Sequence, residues 1–307
     1  MGRIGAIALA LWLGGCSDFS QHRFGGIRQD TSLAEGPPKP APALYMPKPP
    51  EFAQTNRDEN VKQATFVPQR EGPIEPQQPP LEQPLRVLYQ RAAERHATMD
   101  SYIFRLKRRE VVNGKKQSEE VMRVQVRRDP YSVHLVWLNQ ASKGQEVIYV
   151  QGKYGNKMQV LLAANDPFAL LGRRQSIATD DPMVRAASRY SITGTGFGSL
   201  IERFGQMVAI AEKNDPRDGT VKYLGPVQRP EFEAKVETVH QVLPPNADPQ
   251  LPKGGQRWWF FDATNGLPVL VIAHDATGEV EYYCHDHIQA PAQLDDNDFN
   301  PERVWRK

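Results

Sequence analysis

The densest group of reactive side chains is the stretch YYCHDHI, which places Cys284, His285, Asp286 and His287 in succession. Alternate side chains of a β-strand share a face, so we expect the histidines on one face and the cysteine and aspartate on the other. Two histidines do not complete a zinc site, which takes at least three protein ligands. The nearest third histidine, His274, falls about 20 Å from His285 in the hairpin that the turn residues predict. The sequence therefore predicts no metal and no cofactor at this cluster.

Three glycines, Gly194, Gly196 and Gly198, raise the question of a phosphate-binding loop. Ser199 stands where a dinucleotide fingerprint needs its third glycine, and no parallel strand-helix-strand unit surrounds the motif. We interpret the stretch as the loop that enters a helix. The chain also lacks G-x-S-x-G, H-E-x-x-H, C-x-x-C and Walker sequences, so we predict that it is not an enzyme and assign no catalytic residue.

Cys16 follows an apolar run of ten residues from Ile4 to Leu13, with Arg3 ahead of the run. A helix of that length rises about 15 Å, half the hydrocarbon core of a bilayer, so it is typical of a secretion signal rather than a membrane span. The sequence LGGC resembles the lipobox of bacterial lipoproteins, whose cysteine is acylated after cleavage. Residues 1–15 are therefore predicted to be a lipoprotein signal peptide.

This resemblance has consequences for location. It implies that Cys16 is the lipidation site and anchors the protein to the lipid bilayer, because two acyl chains hold a protein firmly where one does not. Ser17 follows the cysteine where an aspartate would signal retention in the inner membrane. We therefore expect a cell-envelope protein at the outer membrane, facing the periplasm.

The composition is that of a soluble globular domain, with 39% hydrophobic and 24% charged residues. The net charge is +2, from 38 basic and 36 acidic side chains, so the charge gives no reason to expect a nucleic-acid partner. With Cys16 acylated, Cys284 has no cysteine left to pair with in the chain. The fold is therefore expected to hold by packing alone.

Half of the prolines, thirteen of 26, lie between Pro37 and Pro84. Such a segment buries too little apolar surface to offset its conformational entropy, so we predict that residues 16–83 form a disordered tether. Three aromatic residues in it could instead form a short docking motif: Tyr45, Phe52 and Phe66.

Residues 84–307 have the pattern of a folded domain. Helical spacing predicts one helix from residue 84 to near Met99 and a second over residues 197–213. Strands are predicted at residues 101–112, 118–128, 131–139, 145–151, 157–163, 220–225, 231–243, 256–263, 268–274 and 279–289. The expected fold is α+β, a strongly curved antiparallel half-barrel sheet of about ten strands with two covering helices.

The chain resembles the uncharacterised bacterial envelope domain family numbered 1571 in five stretches that occur in order: DPYSVHLVWL, KGQEVIYVQGKYGNKMQV, ALLGRRQSIA, ITGTGFGSLIERF and LDDNDFNPE. The resemblance covers roughly residues 84–302. That family is in turn similar in architecture to the periplasmic lipoprotein-carrier (Lol-type) fold, an open half-barrel with helices across its concave side. The family has no established activity, so the resemblance supplies no catalytic residues.

The aromatic strands and the second helix raise the possibility of an apolar hollow. We predict that Leu200, Phe204, Trp258 and Phe260 contact a hydrophobic ligand, an acyl chain or a lipoprotein. The alternative from the same residues is a solid core, in which case the protein is a structural or protein-interaction lipoprotein of the envelope.

Overall fold

The computed structural model describes residues 84–213 and 215–306. In these ranges twelve strands form one curved, open antiparallel sheet, accompanied by four α-helices, so the predicted α+β class is confirmed. None of the described helices is long and apolar enough to cross a membrane. The predicted signal peptide at residues 1–15 and the predicted tether at residues 16–83 lie outside the described residues.

The two long helices occupy the predicted positions, and two short helices add to them. α2 begins at Pro182 after Asp181, whose carboxylate accepts a hydrogen bond from the backbone N–H of Met183. Proline at the first helical position and aspartate at the N-cap are residues that start a helix. The helices are α1 Pro84–Ala97, α2 Pro182–Ala187, α3 Phe197–Lys213 and α4 Pro301–Val304.

The described residues form twelve strands rather than the predicted number of about ten, because β2 and β7 were not predicted. β2 has only two residues, and β7 has the weakly hydrophobic sequence RQSIA. The strands are β1 Ser101–Val112, β2 Lys115–Lys116, β3 Glu120–Arg127, β4 Ser132–Trp137, β5 Glu146–Val150, β6 Lys157–Leu161, β7 Arg174–Ala178, β8 Thr220–Val227, β9 Val236–Leu243, β10 Gly255–Asp262, β11 Pro268–Asp275 and β12 Gly278–Gln289.

The sheet is two meanders that meet at β1. The strand order is β7-β6-β5-β4-β3-β1-β12-β11-β10-β9-β8, and β2 pairs only with the end of β1. Asn113 and Gly114 have φ angles of 50° and 75° and make the tight turn between β1 and β2, for which an Asn-Gly pair is a typical sequence. β7 and β8 are consequently the two free edges of the open sheet.

Helices α1 and α3 cover one face of the sheet, which we call the inner face; the opposite face is the outer face. Tyr102 and Phe104 of β1 belong to the inner face, where Phe197 of α3 packs 5.4 and 5.3 Å from their rings, centroid to centroid. The adjacent Arg105 belongs to the outer face and pairs with Asp286. The alternation of β1 therefore decides which side chains the helices can reach.

The glycine-rich stretch is the entry to α3, as the sequence predicted. Gly196 has a φ of 99°, and the backbone N–H of Phe197 donates a hydrogen bond of 3.1 Å to the hydroxyl of Tyr102. A Cβ atom on residue 196 would lie 2.5 Å from that hydroxyl oxygen. Glycine is required here by both backbone angle and space, and it lets α3 begin directly against the sheet.

The core beneath the middle of α3 is solid. Phe204 is fully buried, and its ring centroid lies 4.6 Å from that of Phe261 and 5.5 Å from that of Trp259. Both contacts are edge-to-face, an arrangement that aromatic pairs favour. The hollow expected between the aromatic strands and α3 is therefore filled by protein at this point.

Candidate ligand-binding site

The structure separates the four residues predicted to contact a ligand. Leu200 and Phe204 lie on the buried side of α3, whereas Trp258 and Phe260 lie on the outer face. The reason is the strand period of two, since it is Trp259 that meets α3. The four side chains do not line one hollow, which corrects the expectation from the sequence.

On the outer face, protein already covers the two displaced aromatic residues. The ring of Trp258 stacks on His240 at 4.9 Å and meets His274 edge-on at 5.2 Å, centroid to centroid. The guanidinium of Arg229 lies 5.1 Å from the ring centroid of Phe260. Trp258 and Phe260 thus have partners other than a ligand. Cys16, the predicted lipidation site, lies outside the described residues.

The residues that do surround open space are elsewhere on the inner face. A cavity of about 160 Å³, the first cavity, lies between strands β3–β7 and the segment that follows β7. We call residues 182–196, which include α2 and the 3-10 turn Ile192–Gly194, the cover segment. Apolar side chains of the sheet and the cover segment form most of the cavity wall: Leu135, Trp137, Val147, Met158, Val160, Ile177, Val184, Ala187 and Ile192.

Polar contacts hold the cover segment over the sheet. The hydroxyl of Tyr131 lies 3.2 and 2.8 Å from the backbone carbonyls of Ile192 and Thr195, to which it donates. Arg108 on β1 donates from Nη1 to the hydroxyl of Ser188 at 3.1 Å. These bonds attach the segment beside the first cavity and leave the space beneath it open.

One carboxylate, that of Glu120, accepts hydrogen bonds from two other side chains at the polar rim of the first cavity. Glu120 accepts a hydrogen bond of 2.8 Å from the indole N–H of Trp137 through Oε1, and it accepts two from Arg108 through Oε2. Glu119 and Asn139 line the same rim. The arrangement is an apolar interior with a charged border, as in many small-molecule sites.

A second cavity, of about 330 Å³, lies beside the first, under the start of α3. Phe104, Leu106 and Leu200 give it apolar wall, and Arg203 and His285 give it polar wall. Of the four predicted ligand residues, Leu200 alone lines either of these two cavities. The cavities share four lining residues: Arg108, Ser188, Tyr190 and Thr195.

His285 is a neutral histidine in the wall of the second cavity. It is 4% exposed, and its ring lies 5.2 Å from Phe104 and 5.5 Å from Phe197. Burial, aided by the charge of Arg203, lowers its pKa to about 4. Its Nδ1 has no hydrogen-bond partner among the described residues. The sequence indicated the face of this histidine but not its burial.

A buried acid lies behind the second cavity. Glu281 is fully buried, and its Oε2 accepts a hydrogen bond of 2.8 Å from the hydroxyl of Tyr190. Three guanidinium groups surround it at 3.8–4.0 Å: Arg189, Arg203 and Arg257. Three cations thus stabilise the charge of one fully buried carboxylate.

A third space, of about 800 Å³, is lined by residues from four stretches of the chain around the end of β1: 111–114, 179–191, 249–254 and 275–280. Its wall carries more charged side chains than that of the first cavity, and it lacks a face made by the sheet strands. The charged residues are Asp180, Arg185, Arg189, Lys253 and Asp275. It is the least suited of the three to an apolar ligand.

The cysteine and aspartate of the reactive stretch lie on the outer face, as alternation predicted. Burial raises the pKa of the Cys284 thiol to about 11, so the thiolate is scarce at neutral pH. Burial also raises the pKa of Asp286, but hydrogen bonds from Arg105 and Lys107 outweigh it and bring the pKa to about 2. Within residues 84–213 and 215–306 no three His, Cys, Asp or Glu residues are placed to hold a metal ion.

The cover segment is the part of the candidate site that the sequence reasoning missed. Its six-residue helix is too short for a periodic pattern, and only Asp181-Pro182 marked its start. An N-cap aspartate followed by proline is a helix-start signal and would have located it.

Solved structures give distant likenesses. An uncharacterised conserved protein from Thermus thermophilus is similar at a TM-score of 0.40, with 8% identity over 71% of this chain and 93% of that chain. The lipoprotein LppX from Mycobacterium tuberculosis is similar at a TM-score of 0.40, with 11% identity over 69% of this chain and 98% of that chain. A putative outer membrane lipoprotein-sorting protein domain from Vibrio parahaemolyticus is similar at a TM-score of 0.35, with 13% identity over 72% of this chain and 100% of that chain. All three TM-scores are below 0.5, so these likenesses carry no functional argument.

The sequence itself identifies a family. No curated protein sequence matches the chain significantly. The profile of a family described as protein of unknown function, DUF1571, matches residues 99–304, which span all twelve strands and include both cavities. The chain belongs to the DUF1571 family.

Proposed function

We propose that this protein is a lipid-anchored envelope protein whose half-barrel domain binds the acyl chain of a lipid or lipoprotein without catalysing a reaction. The observation that carries the proposal is the first cavity, an apolar space between the inner face and the cover segment. Its volume of about 160 Å³ is close to that of engineered apolar cavities that stay dry and bind benzene, so it accepts about six carbon atoms.

A longer chain needs the second cavity as well. Its volume is about 330 Å³, and the residues common to both cavities include Ser188 and Thr195 of the cover segment. Hydrogen bonds from Tyr131 and Arg108 hold the segment at these points. We propose that a displacement of the segment, which breaks these bonds, joins the two spaces. In this proposal the chain end occupies the first cavity and the polar end the second.

The anchor in this proposal comes from the sequence alone. Cys16 in LGGC, followed by Ser17, supports a diacylated cysteine and the outer membrane. Anchoring would keep the binding domain in the envelope, where acyl ligands occur.

The test is ligand-dependent melting of the full-length chain with dodecanoate. A ligand that binds only the folded state stabilises it by about 2.7 kcal/mol at a hundredfold excess over Kd. For a domain of this size the expected rise in Tm is about 5–10 °C. No shift at any concentration up to saturation of the aqueous ligand contradicts the proposal.

A pair of variants locates the site. Ala187 lines the first cavity, whereas its neighbour Ala186 on α2 is exposed. Ala187→Phe fills the space and is expected to abolish the melting shift, while Ala186→Phe is expected to keep it. Equal shifts in both variants would place the ligand elsewhere.

The second candidate is an interaction lipoprotein without a ligand. The edge strand β8 favours it, because Tyr223 and Leu224 are exposed there beside an unpaired strand edge, which is a surface that partner chains use. The same melting test separates the two functions, since only the first predicts a shift with dodecanoate.

A further inference from the structure

The second cavity has two cationic side chains in its wall, and they differ in how they are used. Arg108 donates to Glu120 from Nε and Nη2 and to Ser188 from Nη1. Its hydrogen-bonding capacity is therefore largely taken up by the protein itself, and it serves to hold the cover segment.

In the part of the chain that the structure describes, Arg203 has no such partners. None of its N–H groups donates a hydrogen bond within the described residues, although the side chain is only 28% exposed. Its guanidinium lies 4.3 Å from the ring centroid of Tyr190 and 5.7 Å from that of Trp259. Stacking on aromatic faces fixes the plane of a guanidinium and leaves the N–H edge available to an acceptor.

The nearest carboxylate does not satisfy Arg203. Nη1 lies 4.0 Å from Oε1 of Glu281, beyond hydrogen-bond distance, and Oε1 itself has no hydrogen-bond partner among the described residues. Glu281 is also shared with Arg189 and Arg257, and of these Arg257 has a second carboxylate, Asp248 at 2.6 Å. Arg189 and Arg257 each donate side-chain hydrogen bonds to other protein groups, and of the three guanidinium groups around Glu281 only that of Arg203 donates none within the described residues.

The surroundings of Arg203 suit one end of an amphiphile. Phe104, Leu106 and Leu200 line the same cavity, and His285 is neutral there. A ligand in this cavity meets an apolar wall and one cation with unused donors.

We propose that the ligand of this domain is an acyl amphiphile with an anionic head group, a carboxylate or a phosphate, and that Arg203 binds that head group. The proposal rests on the proposed function and names its ligand class. Paired N–H donors of one guanidinium match two oxygens of either head group. Glu202, exposed on the same helix, also lines the cavity, and its charge opposes an anion.

The experiment measures Kd by calorimetry for four probes on the full-length chain: dodecanoate, dodecyl phosphate, 1-dodecanol and inorganic phosphate. Hydrogen bonds to charged groups correspond to about a 10- to 100-fold change in Kd. We expect both anionic amphiphiles to bind about 10- to 100-fold more tightly than dodecanol. Inorganic phosphate is expected to bind at least about 100-fold more weakly than dodecyl phosphate, because it lacks the chain.

Three variants assign the preference to Arg203. Arg203→Gln is expected to bind dodecanoate and dodecanol equally, and Arg203→Lys to keep part of the preference through its charge. Arg123→Gln makes the same charge change at an exposed position on the outer face and is expected to behave as wild type. Glu202→Gln is expected to tighten dodecanoate binding about twofold and to leave dodecanol unchanged.

The outcomes separate this inference from the function it rests on. Equal affinity of the wild type for dodecanoate and dodecanol overturns the inference of an anionic head group but leaves the proposed acyl-binding function standing. Binding of none of the chain-bearing probes overturns both. An unchanged preference in folded Arg203→Gln, or phosphate binding as tight as that of dodecyl phosphate, also overturns the inference. If Arg203→Gln does not fold, the affinities of the wild type for the four probes and the reduced preference of Arg203→Lys for dodecanoate over dodecanol decide whether the inference holds.

Discussion

Replacing Phe204 with alanine tests whether the core beneath α3 is solid. The side chain is fully buried and lies in edge-to-face contact with Trp259 and Phe261 at 5.5 and 4.6 Å between centroids. Had the aromatic strands and α3 enclosed a hollow at this point, the ring would have few neighbours to lose. The observed contacts instead predict that truncation leaves a cavity lined by aromatic side chains.

The magnitude follows from those contacts. Phenylalanine-to-alanine replacements in close-packed cores cost about 3–5 kcal/mol in unfolding free energy. Full burial and two aromatic partners place Phe204 in the upper part of that range. At about 2–4 °C per kcal/mol for a domain of this size, Tm is expected to fall by about 8–20 °C.

The assay is chemical unfolding of the full-length chain, followed by tryptophan fluorescence and circular dichroism. Leu138→Ala is the matched control, because Leu138 is 50% exposed and its truncation should cost less than about 1 kcal/mol. A loss of less than about 1 kcal/mol for Phe204→Ala, equal to the control, would refute a packed core under α3.

Three further predictions concern pH, lipidation and domain limits. Burial lowers the pKa of His285 in the folded protein from 6.5 to about 4. As pH falls, the imidazole is therefore protonated in the unfolded chain before it is protonated in the folded one, and about 3 kcal/mol of folding stability is lost between pH 6.5 and 4. His285→Leu should flatten that part of the stability–pH curve, and an unchanged curve would contradict the burial. Labelled palmitate should enter the wild type but not Cys16→Ser, whereas equal labelling rules out the anchor. Limited proteolysis should yield a stable fragment beginning between about residues 75 and 90, and protection of residues 37–70 would show that the predicted tether packs on the domain.

The sequence was sufficient for the elements with strong patterns. Alternation and the Asn113-Gly114 turn located β1, and helical spacing located α3 to the residue. These signals are local, because each arises from one element facing one apolar surface. The strand meander followed from them, since sequential strands joined by short turns pair with each other.

The faces of the aromatic strand could not be read from its sequence. Residues 258–261 read WWFF, so the residues on the two faces of the strand are equally hydrophobic. Only the contact of Trp259 with Phe204 in the folded chain shows which face meets α3. Both faces of β10 are covered, the outer one in part by the segment that contains Arg229. A strand buried on both sides loses the alternation that would have told them apart.

The cavities depend on contacts between distant parts of the chain. The first cavity needs β7 to pair with β6 and the cover segment to be held by Tyr131 and Arg108. Arg203 likewise acquires its two aromatic partners only when α3 lies across β10, which carries Trp259, and beside the cover segment, which carries Tyr190. No local pattern records these arrangements, so of the four residues chosen from the sequence only Leu200 lines one of the two cavities.

The most direct test of acyl binding is photocrosslinking with a dodecanoate that carries a diazirine at the chain end, followed by peptide mass spectrometry. Acyl binding in the first cavity predicts saturable labelling at Met158, Ile177 or Val184, and loss of that labelling when unlabelled dodecanoate is in excess. Labelling confined to the outer face around Trp258 or to the exposed edge at Leu224, or labelling that does not saturate, would contradict it.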